Sequence, residues 1–240
     1  MKMKRKLRKF LLMLSSAILL VSISVGATVA YLTDTDSVKN TFTVGNVQIT
    51  LDETDVDLYG VKDGDTRVKA NEYKLIPGHQ YKKDPTLHVL KGSEDAWVRM
   101  LVTVNKHAEL KQALEAAGLN TMIDSTTGAV LLQNMVEGWD ITKWDATATV
   151  NNDDGSAVYE FRYKSIVSAK NAQQDVKLFD NFTLPGAITN KQISGEAEGT
   201  TYLGKLEGLT ITVEGHAIQA DGFANYNAAW DTGWKVNHPN

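Results

Sequence analysis

Short runs in which every second residue is apolar, each closed by Gly, Pro or Asn, recur along most of this 240-residue chain. Side chains of an extended strand alternate between two faces, so such a run has one apolar face to bury and one to leave wet. Phe42, Val44, Val47, Ile49 and Leu51 form the first run. Its parity changes across Gly45-Asn46. One extra residue there, as in a β-bulge, keeps all five side chains on one face, and a tight turn is the alternative. Further strands are expected at 67–75, 86–90, 97–104, 146–150, 157–167, 174–184 and 209–218. Ile76-Pro-Gly78 and Leu184-Pro-Gly186 each break the chain after an apolar residue, and Asn151 to Gly155 reads as a hairpin turn between two strands. This spacing predicts a mainly β fold, a jelly-roll-like antiparallel β-sandwich with one or two short helices. The helices are expected at 106–117, with Leu110, Ala113, Leu114 and Ala117 on one face and Gly118 as the stop, and at 222–230, with Asp221 as N-cap. Residues 192–199 read as a loop.

Ahead of the first run lies a different kind of segment. Six basic residues and no acid occupy positions 2–9, followed by an apolar run from Phe10 to Val29 that ends in Gly26-Ala-Thr-Val-Ala30. A basic start, an apolar stretch and small residues at its end are the pattern of an export signal. Residues 1–30 therefore read as a signal helix cut between Ala30 and Tyr31, with Ala27 as the alternative cut. Residues 31–240 read as a single secreted domain. A retained anchor would show aromatic or basic residues on the far side, and Thr33-Asp-Thr-Asp36 stands there instead. The membrane then enters only through the uncleaved signal. Without its first thirty residues the chain keeps 19 basic and 29 acidic residues, a net charge of −10. Such a body is poorly suited to nucleic acid or anionic lipid.

Little in the sequence announces catalysis. With no cysteine, thiol chemistry, disulfides and Cys-ligated zinc are excluded. The histidines are His79, His88, His107, His216 and His238, and none belongs to a His-Glu-x-x-His pair. His79 and His88 could approach one another only across a strand pair. Acidic clusters at Asp52–Asp57 and at Asp63 and Asp65 are candidate calcium ligands. Counted from Asp55, an EF-hand loop would need acidic or amide ligands where Tyr59 and Thr66 stand, so the set fails. There is no Gly-x-Ser-x-Gly elbow and no phosphate-binding glycine loop. Neither cofactor nor metal is expected. Trp97 sits in an apolar run and reads as core, whereas Trp139 and Trp144 read as surface residues able to stack on sugars, a glycan-binding alternative.

Three blocks are more specific. Ala27-Thr-Val-Ala30-Tyr31-Leu-Thr-Asp34 runs on to Phe42, Gly45, Val47 and Ile49 in a Phe-x-x-Gly-x-Val-x-Ile pattern. Leu75-Ile-Pro-Gly78 is followed by Lys83-Asp84 and the apolar run from Ala96 to Val104. His216-Ala-Ile-Gln-Ala-Asp-Gly-Phe223 leads to Trp230 near the end. In these blocks the chain resembles the TasA/camelysin family of secreted proteins of Gram-positive bacteria. The resemblance implies a signal removed by a SipW-type signal peptidase, an extracellular-matrix or cell-surface location, and a structural role in biofilm fibres. It also implies a partner of the same kind, either a second copy or a related matrix subunit, joined by donor-strand addition. Phe42, Val44, Val47, Ile49 and Leu51 are the candidate donor strand, and the alternative is that they form the first strand of the monomer. The camelysin side of the family carries a metallopeptidase label, for which the sequence offers no zinc motif.

Overall fold

Alternation is most regular at Ala96–Val104, strand β5, where Ala96, Val98, Met100, Val102 and Val104 are all fully buried. The computed structural model describes residues 46–233, and β5 lies near the middle of one of its two larger sheets. That sheet runs β11 (Ile211–Gln219), β5, β8 (Ala157–Tyr163), β7 (Trp144–Asn151). The second runs β2 (Lys62–Val68), β1 (Ile49–Val56), β4 (Thr86–Val89), β9 (Gln174–Lys177). A small third sheet holds β3 (Gln80–Lys82), β10 (Asn181–Thr183) and β6 (Val136–Glu137). Every pairing is antiparallel. The protein is mainly β with few short helices, as the alternation predicts. The expected signal helix and the cut at Ala30 and Tyr31 lie outside the described residues. The chain divides into two units between Val44 and Gly45, and the described residues belong to the second.

One core fills the space between the larger sheets, with Leu87 and Val89 from β4, Val176 from β9, and Tyr159 and Phe161 from β8 among its members. Helix α1 (His107–Ala116) closes one side, burying His107, Leu110, Ala113 and Leu114. Gly118, at φ +74°, ends it as expected. The β7–β8 hairpin turns at Asn152–Gly155, where the Asn152 amide donates to the Ser156 carbonyl. The two Pro-Gly breaks meet each other. Gly78 N–H donates to the Leu184 carbonyl at 2.7 Å, and a Cβ on Gly78 would lie 3.4 Å from the Gly186 Cα.

Several expectations are corrected. Among the described residues the first strand begins at Ile49, after irregular Asn46–Gln48, and continues through the acidic residues to Val56. The strand expected at 67–75 ends at Val68, and Lys69–Leu75 is irregular. The run at 174–184 is two strands in two sheets, because the neighbours Leu178 and Phe179 are both buried, which one strand cannot do in a one-faced sheet. The last helix is one turn, α2 (Tyr226–Ala228), capped by the Asn225 side chain rather than by Asp221, and followed by a π turn at Ala229–Gly233. Trp144 is not a surface residue. It is 1 % exposed, and its Nε1 donates to the Lys177 carbonyl at 3.0 Å. Trp139 is half-buried edge-on against Phe161. The Trp144 ring presents no open face for sugar stacking.

Candidate functional site

β11 is an edge strand. It pairs with β5 along its whole length and with no other strand among the described residues. Across from it, β1 is paired unevenly. Ile49–Asp52 pair with β4, while the pairing with β2 involves only Glu53, Thr54 and Val56. On the side where β2 does not reach, two cations cap the carbonyls: Lys69 Nζ donates to the Leu51 carbonyl and Arg67 to the Asp52 carbonyl. Between these two sides runs an open groove of about 1140 Å³, lined by Ile49–Glu53, Lys69–Leu75, Leu209–Val213 and Gly215, with Tyr81, Phe182 and Leu206 among its deeper residues. Its volume lies above the roughly 300–1,000 Å³ of a small-molecule pocket, and its walls carry strand backbone. β11 can come this close to the core because position 215 is glycine. A Cβ there would lie 2.5 Å from Leu87 Cδ1.

The groove has a polar patch deep in its wall. Lys83 Nζ lies 2.8 Å from Glu53 Oε2, and both side chains are about nine-tenths buried. Asn71 ties the pair to the backbone: its amide donates to Glu53 Oε1 and the Thr54 carbonyl, and its oxygen accepts from Val56 N–H. The Tyr73 hydroxyl donates to the Lys82 carbonyl. Burial, with Glu53 nearby, pushes that phenol well above its ordinary value, so it stays a donor.

Behind β1, a second polar group joins three strands. His88 on β4 places Nδ1 2.7 Å from Asp175 Oδ1 on β9 and Nε2 2.9 Å from Asp52 Oδ1 on β1. Arg67 also bonds Asp52, and Gln173 bonds Asp175. Two carboxylates on two ring nitrogens require both N–H groups. Burial pulls the His88 pKa down, but the bonds to Asp52 and Asp175 outweigh it and hold it above the ordinary value. The folded state thus holds this proton more tightly than the unfolded chain does. Its stabilisation is complete below about pH 6.5 and is lost as pH climbs through the raised value. The depressed Asp52 and Asp175 carboxylates act the other way, their share being lost in acid. His88→Gln is therefore expected to cost about 1 kcal/mol near pH 6, the cost shrinking as pH climbs through the raised value, as read by urea unfolding. A cost that does not change with pH would rule the imidazolium out.

Of the residues singled out from sequence, Ile49 and Leu51 lie on β1, half-buried against the core and facing the groove, and Val47 lies just before the strand. They are paired within their own chain. Phe42 and Val44 lie outside the described residues. Five of the acidic residues proposed for calcium have other partners: Asp52 has Arg67 and His88, Glu53 has Lys83, Asp55 has Thr66, Asp65 has Lys62, and Asp57 caps its own turn. The Glu53–Lys83 pair, the His88 group and the edge of β11, unpaired among the described residues, were missed, since each is built from residues distant in sequence.

A zinc site is not assembled from the described histidines. Both nitrogens of His88 face carboxylates, His107 Nε2 accepts from the Val130 amide, His79 Nε2 meets the Tyr59 carbonyl, and His216 Nδ1 accepts from Arg99. Among the described residues no three His, Asp or Glu side chains form a metal-holding group. His238 lies outside them. The described residues do not fit a catalytic metal.

In comparisons with known proteins, no curated protein and no solved structure matches. Residues 2–76 match the family model described as camelysin metallo-endopeptidase. The match covers about a third of the chain and agrees with the resemblance to the TasA/camelysin family.

Proposed function

We propose that this protein is a secreted structural protein of the extracellular matrix or cell surface, and that it assembles head-to-tail through its N-terminal segment. The observation that carries this reading is the groove between β11 and β1, which offers unpaired strand backbone along an apolar trough. Backbone hydrogen bonds to an edge supply affinity, and alternate side chains in a trough supply specificity. The segment Ser37–Val44 has the matching character, with Val38, Phe42 and Val44 on one face and Ser37, Lys39, Thr41 and Thr43 on the other. Because Ile49 and Leu51 already serve their own sheet, the donated part ends before Asn46. Cleavage between Ala30 and Tyr31 by a SipW-type peptidase would free the segment. A groove filled by a neighbour's segment repeats without closing, so it grows a filament.

Chains of residues 31–240 and 46–240 test this in sedimentation and electron microscopy. The longer chain is expected to polymerise, the shorter to stay monomeric and folded, and a peptide of residues 31–45 to block growth. Polymer from the shorter chain, or none from the longer, would refute the mechanism. The family description names a metallo-endopeptidase. Chelator-sensitive cleavage of casein by residues 31–240 would replace the structural reading with that one.

A further inference from the structure

Five large apolar side chains are strongly exposed among the described residues: Leu58 (52 %), Tyr59 (46 %), Val61 (60 %), Ile141 (71 %) and Ile166 (50 %). Three of them fall within four consecutive residues, at the tip joining β1 to β2. That tip is not a loose loop. Asp57 Oδ1 accepts the amides of Tyr59 and Val61, both at 2.9 Å. The Leu58 carbonyl accepts from Lys74 N–H at 2.7 Å, the Gly60 carbonyl accepts from Lys82 N–H, and the Tyr59 carbonyl takes the His79 ring N–H at 2.7 Å. Gly60, at φ +72°, presses so close that a Cβ would sit 2.8 Å from the Tyr81 Cα. A rigid backbone holding apolar side chains out in water is the form of a preorganised contact.

The covalent chain indicates what would meet it. Such a contact depends on the segment exchange proposed above. Only Gly45–Gln48 separate the exchanged segment from β1, and four residues span at most about 14 Å. The body that donates must therefore abut the rim of the groove it fills. Leu58 lines that groove, so the tip stands on its rim. On the donating body, the chain leaves at Asn46, whose carbonyl accepts from Glu94 N–H. Two residues further, Ala96 bridges to Val167, and Ile166 is next to it. Nearby, Lys164 joins the turn carrying Ile141 by donating to the Ile141 and Lys143 carbonyls. β1 thus leads from the corner holding Ile166 to the tip at its other end.

We propose that the Leu58–Val61 tip of one subunit packs against the Ile141 and Ile166 corner of the next, a contact between bodies that accompanies segment exchange. The two surfaces differ, so the contact is heterologous and open-ended.

The absence of cysteine makes the test clean. Tyr59→Cys and Ile166→Cys are made separately in residues 31–240, with Val61→Cys beside Tyr59→Cys in case the tyrosine is itself needed for contact. A short thiol–thiol cross-linker is expected to give dimers when a tip variant is mixed with Ile166→Cys, and none with either alone. Tyr59→Ser is expected to raise the critical concentration for polymer about tenfold while leaving binding of the 31–45 peptide to residues 46–240 unchanged. Cross-linking within a single tip variant, or polymers that never cross-link in the mixture, would overturn the contact. Cross-linking without peptide binding would retain the contact and remove segment exchange, and the absence of both would remove both.

Discussion

Lys83→Met is expected to destabilise the fold by about 3–5 kcal/mol, the cost of leaving one member of a buried ion pair without the other. Glu53 would remain nine-tenths buried, keeping only the Asn71 amide as a partner. Glu53→Leu should cost a similar amount for the mirror reason. The double variant should recover most of the loss, since two apolar side chains of similar volume need no charge compensation. Urea unfolding of the four proteins gives the cycle, and the coupling should exceed about 2 kcal/mol. Additive single losses would mean that the pair is hydrated in solution. If the double variant is stable yet assembles poorly, the pair specifies which register of an incoming strand is accepted, the best-attested use of a buried charge.

Trp144→Ala is expected to cost about 3–5 kcal/mol. The indole is fully buried and packs edge-on to Tyr163 at 5.1 Å. Its N–H donates from β7 to the Lys177 carbonyl on β9, so one side chain ties the two larger sheets together. Trp144→Phe separates the contributions. It keeps most of the packing and loses the hydrogen bond, and should cost about 1–2 kcal/mol. If Trp144→Ala unfolds within about 1 kcal/mol of the parent, the indole is not the tie between sheets.

How much of this was legible in the sequence depends on how local the signal was. α1 carries its own helical period and its own stop at Gly118, and β5 alternates over nine residues, so both were readable. β3 and β6, at three and two residues, are shorter than any period can reveal. The acidic half of β1 looked like a loop because its neutralising partners are remote: Arg67 is 15 residues from Asp52, Lys83 is 30 from Glu53 and His88 is 36 from Asp52. Trp144 reads as half-exposed on its own strand and is buried only because β9 passes over it. The groove is the extreme case. No motif marks it, because it is a gap between two strands near opposite ends of the chain.

The order of strands also sets when this fold can form. β5 is flanked by β11 on one side and by β8 on the other, and Arg99 meets His216 across 117 residues. β4 waits for β9, with His88 and Asp175 separated by 87. Contacts of such span place folding in the millisecond-to-second range rather than in microseconds. A chain emerging N-terminus first therefore exposes half-built sheets until nearly its last strand arrives. It stays threadable throughout that interval and becomes a rigid body only once the synthesis of residue 219 lets β11 complete its sheet.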